Sequence, residues 1–448
     1  MNIAQALRCH QGMTIAAVGA GGKTSLLFAL ARHLPGKKIV TTTTHFALNQ
    51  LNFGDYHFTD ADDSLEKRII AAPENAVIVI SGTKYQTDRV NGPASDILEN
   101  IKQISAVHGY TILIEADGSR RLPLKAYAEH EPVIPDWVEL VVTVIGSSAI
   151  GKRLNDDTVF RADRFAEMGQ AALDDFIDVE MICKMLLHPD GGLKHRAAHR
   201  HSVIVFNQAD QLSNSSRELI ETIIPSLLVY HDAILITSVQ SAPEAQISTY
   251  ERIAGVVLAA GESKRLGSPK QLLTYQGISF LRWTTLRALE CGFSHLYVVL
   301  GYKAALLANE VADLPVNIII NPDWEAGQST SVKCVLQKII SSIPIGGVGF
   351  MPVDQPFLKA DTLKDMIAYH ASNLGISVVP CHDNRRSSPV LIDRDHLHNL
   401  YTVKGDQGGR AILGEIKYKC FDIKDGNELI DIDTMDQYRL HIQDSANS

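Results

Sequence analysis

At 448 residues the chain is too long for one ordinary hydrophobic core, so two large domains are expected. With 45% hydrophobic and 21% charged residues it reads as an ordinary globular protein, which excludes extended disorder. A formal charge of -9 leaves no electrostatic footprint for nucleic acid or an anionic membrane, and a small-molecule substrate is expected instead.

Short apolar runs alternate with longer amphipathic segments, the pattern of parallel strands joined by helical crossovers. In the first half, strands are predicted over residues 14–18, 38–41, 76–80, 111–114, 140–145, 203–206 and 233–236. The first of these opens a phosphate loop. "VGAGGKTSLLFALARHL" sets Gly19, Gly21, Gly22, Lys23 and Thr24 between a strand and an amphipathic helix. The strict GxxxxGK[ST] pattern fails, because Ala17 stands in the place of the first glycine. The physical requirements survive: glycines permit a nest of N–H groups, a helix N-terminus faces the anion, Lys23 reaches outer phosphates and Thr24 can ligate Mg²⁺.

Further along, Thr42, Thr44 and His45 of "TTTTHF" form either a switch-like element against an outer phosphate or a β-branched strand end. "TILIEADGS" runs an apolar strand into Glu115 and Asp117, with Asp117 as a Walker B type metal carboxylate. Glu129, His130 and Glu131 have the residue types of a metal or acid/base cluster, and equally those of an exposed loop flanked by prolines. "KHRAAHRH" is His-rich but irregular in spacing and reads as a solvated loop. "VIVFNQAD" places Asn207 and Asp210 as in the guanine-reading NKxD loop, with Gln208 replacing the lysine. The ligand expected for this half is GTP or ATP.

"GGKTS", "TTTTHF", "EADGSRRLPLKAYAEHEPVIP" and "NQAD", spread over roughly residues 10–240, resemble the YqeC family, accessory proteins of selenium-dependent molybdenum hydroxylases. The resemblance implies a pathway, with a molybdenum hydroxylase as recipient, more than a reaction. The polar segment "SVQSAPEAQISTYERI" then reads as a linker. It divides the chain into a P-loop-like NTP-binding domain, residues 1–245, and a second domain, residues 252–448.

In the second half, strands are predicted over residues 254–258, 295–300, 316–320, 347–351, 376–379 and 417–422. "VVLAAGESKRLGSPKQLL" follows the first strand with a second phosphate cradle. Small residues at Ala259, Ala260 and Gly261 let backbone N–H groups approach an anion, and Arg265 and Lys270 can neutralise a triphosphate. "GGVGFMPVDQPFL" ends an apolar strand in Asp354, a hard carboxylate at the sheet edge where ligands of open α/β sheets bind and Mg²⁺ is held.

These two stretches, with "VVLGY", "NPDWEAGQSTSVKCVL", "RRSSPVLI", "GDQGGR" and "DIDTMDQY", resemble the nucleotidyltransferases that attach a nucleotide to molybdopterin, especially the molybdenum cofactor cytidylyltransferases. The resemblance implies a Rossmann-like fold and Mg²⁺-dependent transfer of CMP from CTP to molybdopterin. Lys270, Arg265 and Asp354 would be catalytic, with Asp354 also the metal ligand. Gly301 and Ser331 would border the nucleotide. Asp406, Asp431 and Asp433 are either metal or substrate contacts or, more often for this residue type, caps and turns. Related guanylyltransferases carry "LAGG" where this chain has "LAAG", which points towards CTP. Sugar nucleotidyltransferases share the loop, so a sugar- or alditol-phosphate transferase and a nucleotide-gated cofactor insertion chaperone stay open as alternatives.

The fold class expected is therefore α/β, two doubly wound domains fused in one chain. No apolar run approaches the roughly 18 residues of a membrane-spanning helix. Six cysteines without CxxC spacing suggest neither a zinc site nor a disulfide framework, and a cytoplasmic, reducing setting is expected.

Overall fold

Strands rich in Val, Ile and Leu on both sides of the pleat need cover on both faces, and each half of the chain meets that demand with its own mostly parallel sheet. The computed structural model describes residues 1–62, 64–194, 197, 199–240, 247–263, 266–340 and 345–443, in two units, Met1–Tyr250 and Glu251–Ser448.

The first sheet has nine strands: β1 (Thr14–Gly19), β2 (Lys38–Thr42), β3 (Tyr56–Thr59), β4 (Val77–Ser81), β5 (Thr111–Glu115), β6 (Leu140–Gly146), β7 (His201–Asn207), β8 (Ala233–Ile236) and β9 (Ser248–Glu251). Their order is β9-β8-β7-β6-β1-β5-β2-β4-β3, and the pairings from β8 to β3 are parallel. Alternate residues of one strand serve opposite layers. Ile15 and Ala17 pack with Leu26 and Leu30 of the helix Lys23–His33, while Ala16 and Val18 pack with Ile101 and Ile104 of the helix Ser95–His108. Because β1 lies between β5 and β6, the loops leaving β1 and β5 meet at the carboxyl edge where the winding reverses.

The second sheet contains β10 (Ile253–Ala259), β11 (His295–Leu300), β12 (Asn317–Ile320), β13 (Gly347–Pro352), β14 (Ser377–His382), β15 (Arg385–Arg386), β16 (Val390–Asp393) and β17 (Tyr418–Asp422). Its order is β12-β11-β10-β13-β16-β14-β15, with β17 also on β14. The block β12-β11-β10-β13 is parallel and β16 runs antiparallel to β13 and β14. Val256 and Leu258 face Val332, Val335 and Leu336 of the helix Gln328–Ile340, and Val257 and Ala259 face Phe280 and Leu281 of the helix Phe280–Leu289. The reversal falls at β10, between β11 and β13, and it positions the second site. This unit is the Rossmann-like α/β fold expected.

Three expectations are corrected. The linker segment is not all loop: Ser248–Glu251 forms the edge strand β9, with Thr249 buried and the Tyr250 hydroxyl donating to Glu221 (2.8 Å), and Ile253 already begins β10. The edge strand β3 and the antiparallel β16 were not predicted. β3 is short and buries only Phe58, and β16 follows directly on Pro389, so neither shows a long apolar run. Finally, Cys381 and Cys420 form a disulfide with Cα atoms 5.5 Å apart. They are 39 residues apart in sequence, and only the pairing of β14 with β17 makes them neighbours. No helix among the described residues is long and apolar enough to cross a membrane.

Expressed separately as residues 1–251 and 252–448, which leaves β9 intact, each piece is expected to melt cooperatively by circular dichroism. Loss of structure in either piece would show that its core needs the other.

Candidate functional site

In the first unit the chain leaves β1 through Gly19, Ala20, Gly21 and Gly22, and a helix starts at Lys23. Two glycines are required by close approach. A Cβ on Gly19 would lie 2.4 Å from Val144 O, and one on Gly21 would lie 2.3 Å from Gly146 Cα. The loop amides are divided between two tasks. Gly19 N–H donates to Asp117 Oδ2 (3.0 Å), Ala20 N–H to Val144 O (2.8 Å) and Gly21 N–H to Leu122 O (3.2 Å). Gly19 and Gly21 thus shape the loop with their amides engaged, and the donors facing outward are the first-turn amides from Gly22 onward, which have no partner inside a helix. Asn207 Nδ2–H₂ donates to Gly21 O (2.8 Å), so Asn207 braces the loop from behind.

Lys23 is buried and its ammonium donates to Gly19 O (2.7 Å) and pairs with Asp117 Oδ1 (3.1 Å). Thr24 Oγ1–H donates to Glu115 Oε2 (2.7 Å) and accepts from Gln50 Nε2 (2.7 Å). Burial raises the Glu115 carboxyl above its ordinary range, against the pull of Lys23 and Thr24. Asp117 also pairs with Lys125 (2.9 Å), Lys125 with Glu131 (2.9 Å) and Glu131 with Arg161 (2.8 Å), a buried row of alternating charge. Glu131 is therefore a structural carboxylate and does not join Glu129 and His130, which are exposed. Thr42 Oγ1–H donates to Glu115 O (2.8 Å), which sets the "TTTT" run against this strand end, whereas His45 is exposed. Asp210 closes on Ser238: its N–H donates to Ser238 Oγ (2.7 Å), which returns a hydrogen bond to Asp210 Oδ1 (2.6 Å). Lys125, Arg161 and Gln50 escaped the sequence reading, since a lone cation or amide carries no spacing signal.

In the second unit β10 runs out through Ala259, Ala260 and Gly261. Lys264 and Arg265 lie outside the described residues. Gln271, almost wholly buried, donates to both Ala259 O (2.8 Å) and Gly261 O (2.8 Å) and staples the two flanks of the loop. Lys270 is delivered to the end of β13, where its ammonium pairs with Asp354 and with Asp433 Oδ1 (3.2 Å). Burial opposes the lysine charge, but the two aspartates outweigh it and hold its pKa above the ordinary value. Asp354 Oδ1 is buried without a hydrogen-bond partner. Burial, and then the charge of Asp354, push the Asp431 carboxyl up to about 6. These groups, with Asp406 and Arg410, line a cleft of 490 Å³.

Gly301 and Ser331 are not among the residues lining that cleft. A Cβ on Gly301 would lie 2.5 Å from Trp324 Cβ and 2.8 Å from Ala260 O, and Ser331 Oγ accepts from Asn321 Nδ2 (2.9 Å). Both hold the edge beside the loop. The unpartnered oxygen of Asp354 and the crowded carboxylates fit a divalent cation. Among the described residues no three Asp, Glu, His or Cys side chains converge as a ready-made cage.

With this geometry in hand, comparison with known proteins finds two family models, "YqeC protein" over residues 15–163 and "MobA-like NTP transferase domain" over residues 255–420. The chain is 30% identical over 203 residues to "Uncharacterized protein YqeC" of Escherichia coli (strain K12), covering 45% of this chain and 78% of the relative. It is 30% identical over 198 residues to "Nicotine blue oxidoreductase" of Paenarthrobacter nicotinovorans, covering 42% and 96%. It is 26% identical over 185 residues to "Molybdenum cofactor cytidylyltransferase" of Escherichia coli (strain K12), covering 41% and 92%.

The charged row in the first unit has a pH signature. Burial alone would raise the Glu131 carboxyl, yet Arg161 and Lys125 hold it down to about 2. A carboxylate depressed in the folded state stabilises the protein above its unfolded-state value, and that contribution disappears as pH falls from about 4.5 towards 2. Glu131→Gln is expected to lower stability by about 3 kcal/mol at neutral pH. Denaturant melts at several pH values should show the gap to wild type narrowing below pH 4.5; a gap that ignores pH would contradict this assignment.

Proposed function

The chain belongs to the YqeC family in its first half and to the MobA-like NTP transferases in its second, and from that premise we propose that the second half transfers CMP from CTP to molybdopterin while the first binds a purine nucleoside triphosphate. The observation that carries the transferase reading is the convergence of Lys270, Asp354, Asp431 and Asp433 on one cleft at the reversal of the sheet.

Nucleotidyl transfer brings an anionic acceptor against an anionic donor, so catalysis is largely positioning and charge neutralisation. A terminal phosphate oxygen of molybdopterin attacks the α-phosphorus of CTP, the new P–O bond forms, the bond to the bridging oxygen breaks and pyrophosphate leaves with that electron pair. Lys270 stands where it can exchange Asp433 for a phosphate oxygen and meet the charge developing on pyrophosphate. Asp354 keeps Lys270 charged and oriented. Gln271 holds the backbone from Ala259 to Gly261 open for the approach of the triphosphate. Asp354, with Asp431 or Asp433, would hold Mg²⁺, which supplies further neutralisation of the phosphate oxygens. Ala260 in place of the glycine of the guanylyltransferase loop supports CTP as donor.

In the first unit the outward amides from Gly22, the Lys23 ammonium and the Thr24–Glu115 pair support triphosphate binding. Lys23 must exchange Asp117 for phosphate, and Lys125 remains behind to neutralise Asp117.

Asp354→Asn should abolish CMP transfer while leaving the fold intact by circular dichroism. Lys270→Ala should act chiefly on kcat, a loss of about 10² corresponding to roughly 2.7 kcal/mol of transition-state stabilisation. Pyrophosphate release from CTP, GTP and ATP with molybdenum-loaded molybdopterin checks both; full transfer by Asp354→Asn sinks the mechanism, and use of GTP but not CTP sinks the donor assignment. For the first unit, Lys23→Ala should weaken calorimetric binding of GTP or ATP by about tenfold, the loss of one charge-assisted contact; unchanged affinity returns the loop to a purely structural role.

A further inference from the structure

We propose that Arg120 and Arg121 form a clamp for a phosphoryl group at the rim of the first unit's loop, outward of the phosphate received at residues 22–24. The inference rests on reading that loop as an anion site and adds to it a subsite with its own residues.

Leu122 N–H donates to Ser119 O (3.0 Å), which makes residues 119–122 a tight turn with Arg120 and Arg121 at its centre. Their φ angles are 51° and 65°. A turn with positive φ at both central positions favours glycine, asparagine or aspartate, so the two arginines sit there against the backbone's preference.

The turn is fastened to the phosphate loop on both sides. Asp117, before it, accepts from Gly19 N–H, and Leu122, after it, accepts from Gly21 N–H (3.2 Å). Pro123 O then accepts from Gly146 N–H (2.9 Å), and Gly146 is the residue packed on Gly21. Beside that junction Ser147 is 1% exposed and its hydroxyl is buried with no hydrogen-bond partner.

The carboxylates beside the turn already have cationic partners without the two arginines. Lys23 and Lys125 pair with Asp117, and Lys125 and Arg161 pair with Glu131. The Arg120 guanidinium lies 4.8 Å from the centre of the Phe160 ring, and among the described residues neither Arg120 nor Arg121 has a carboxylate partner. Both are exposed. Two unspent guanidiniums on one short turn match the oxygens of a phosphate, which planar forks bind bidentately. That phosphate is either the outer one of the bound nucleotide or the monoester of a second substrate.

Calorimetry on the full chain with Mg²⁺ separates the two sources, using GTP and ATP, then GDP and ADP, then inorganic phosphate added to diphosphate-saturated protein. If the nucleotide supplies the group, Arg120→Gln with Arg121→Gln weakens triphosphate binding at least tenfold and changes diphosphate binding less than twofold. If a second substrate supplies it, the double variant leaves the nucleotides alone and abolishes phosphate binding to the diphosphate complex. Equal losses for tri- and diphosphate, or no loss in any arm, overturn the clamp. When Lys23→Ala weakens binding and the arginine variant does not, the clamp alone fails; when wild type binds none of these ligands, the reading of the loop fails and the clamp with it. Replacing both arginines by glycine is expected to raise Tm, because glycine suits this turn; a lower Tm would assign the arginines to holding the turn and overturn the proposal.

Discussion

A lysine ammonium drawn against an aspartate at the carboxyl edge of a parallel sheet occurs in both units, and each site is arranged around it. Lys23 meets Asp117 beyond β5, and Lys270 meets Asp354 beyond β13; in each case the lysine comes from the loop after the unit's first parallel strand and the aspartate from the strand next to it. Such a pair is costly to desolvate and more costly to break, because removing one partner leaves an uncompensated charge worth several kcal/mol. The loop therefore has little freedom to relax until something else neutralises the lysine.

The two pairs differ in what stands behind them. In the first unit the pair is sealed, with side-chain exposures of 2% and 0%, and a second cation, Lys125, leans on the same aspartate. In the second it is open to the cleft, at 20% and 15%, and the added groups are anions, Asp433 and then Asp431. An aspartate held by two cations can give up one of them to a phosphate. Surplus carboxylate suits a divalent cation placed between protein and triphosphate, and the same crowding pushes Asp431 up to about 6. Two sheets of different strand order thus place a lysine–aspartate pair at the same kind of edge and surround it with different charges.

Much of this was legible in the chain. Apolar runs bounded by Gly and polar residues located the central strands, because a strand buried on both faces has no room for polar side chains. Lys23, Lys270, Asp117 and Asp354 could be singled out because each ends or follows such a run at a glycine-rich or carboxyl-edge position. The short edge strand β3 and the antiparallel β16 could not be seen, since the local pattern of each is too short to stand out, and the Cys381–Cys420 bond joins residues 39 apart that only strand pairing brings together. Gly19 and Gly21 drew attention as glycines that free backbone N–H groups, but what they make room for is the protein's own backbone.

By itself, the sequence determined that the chain is two α/β units, that an early strand of each leads into a glycine-containing loop, and which lysine follows that loop, because periodicity and glycine placement are local properties written residue by residue. Only the tertiary structure decided the rest. It set the order of strands that brings Asp117 to Lys23 and Asp354 to Lys270, and it divided the loop amides between internal and outward donors. It buried the row from Asp117 through Lys125 and Glu131 to Arg161, and it seated Arg120 and Arg121 in a turn fastened to the loop. Electrostatic partnership acts through space over a few ångströms, so it is decided by which strands become neighbours, and no spacing along the chain records that.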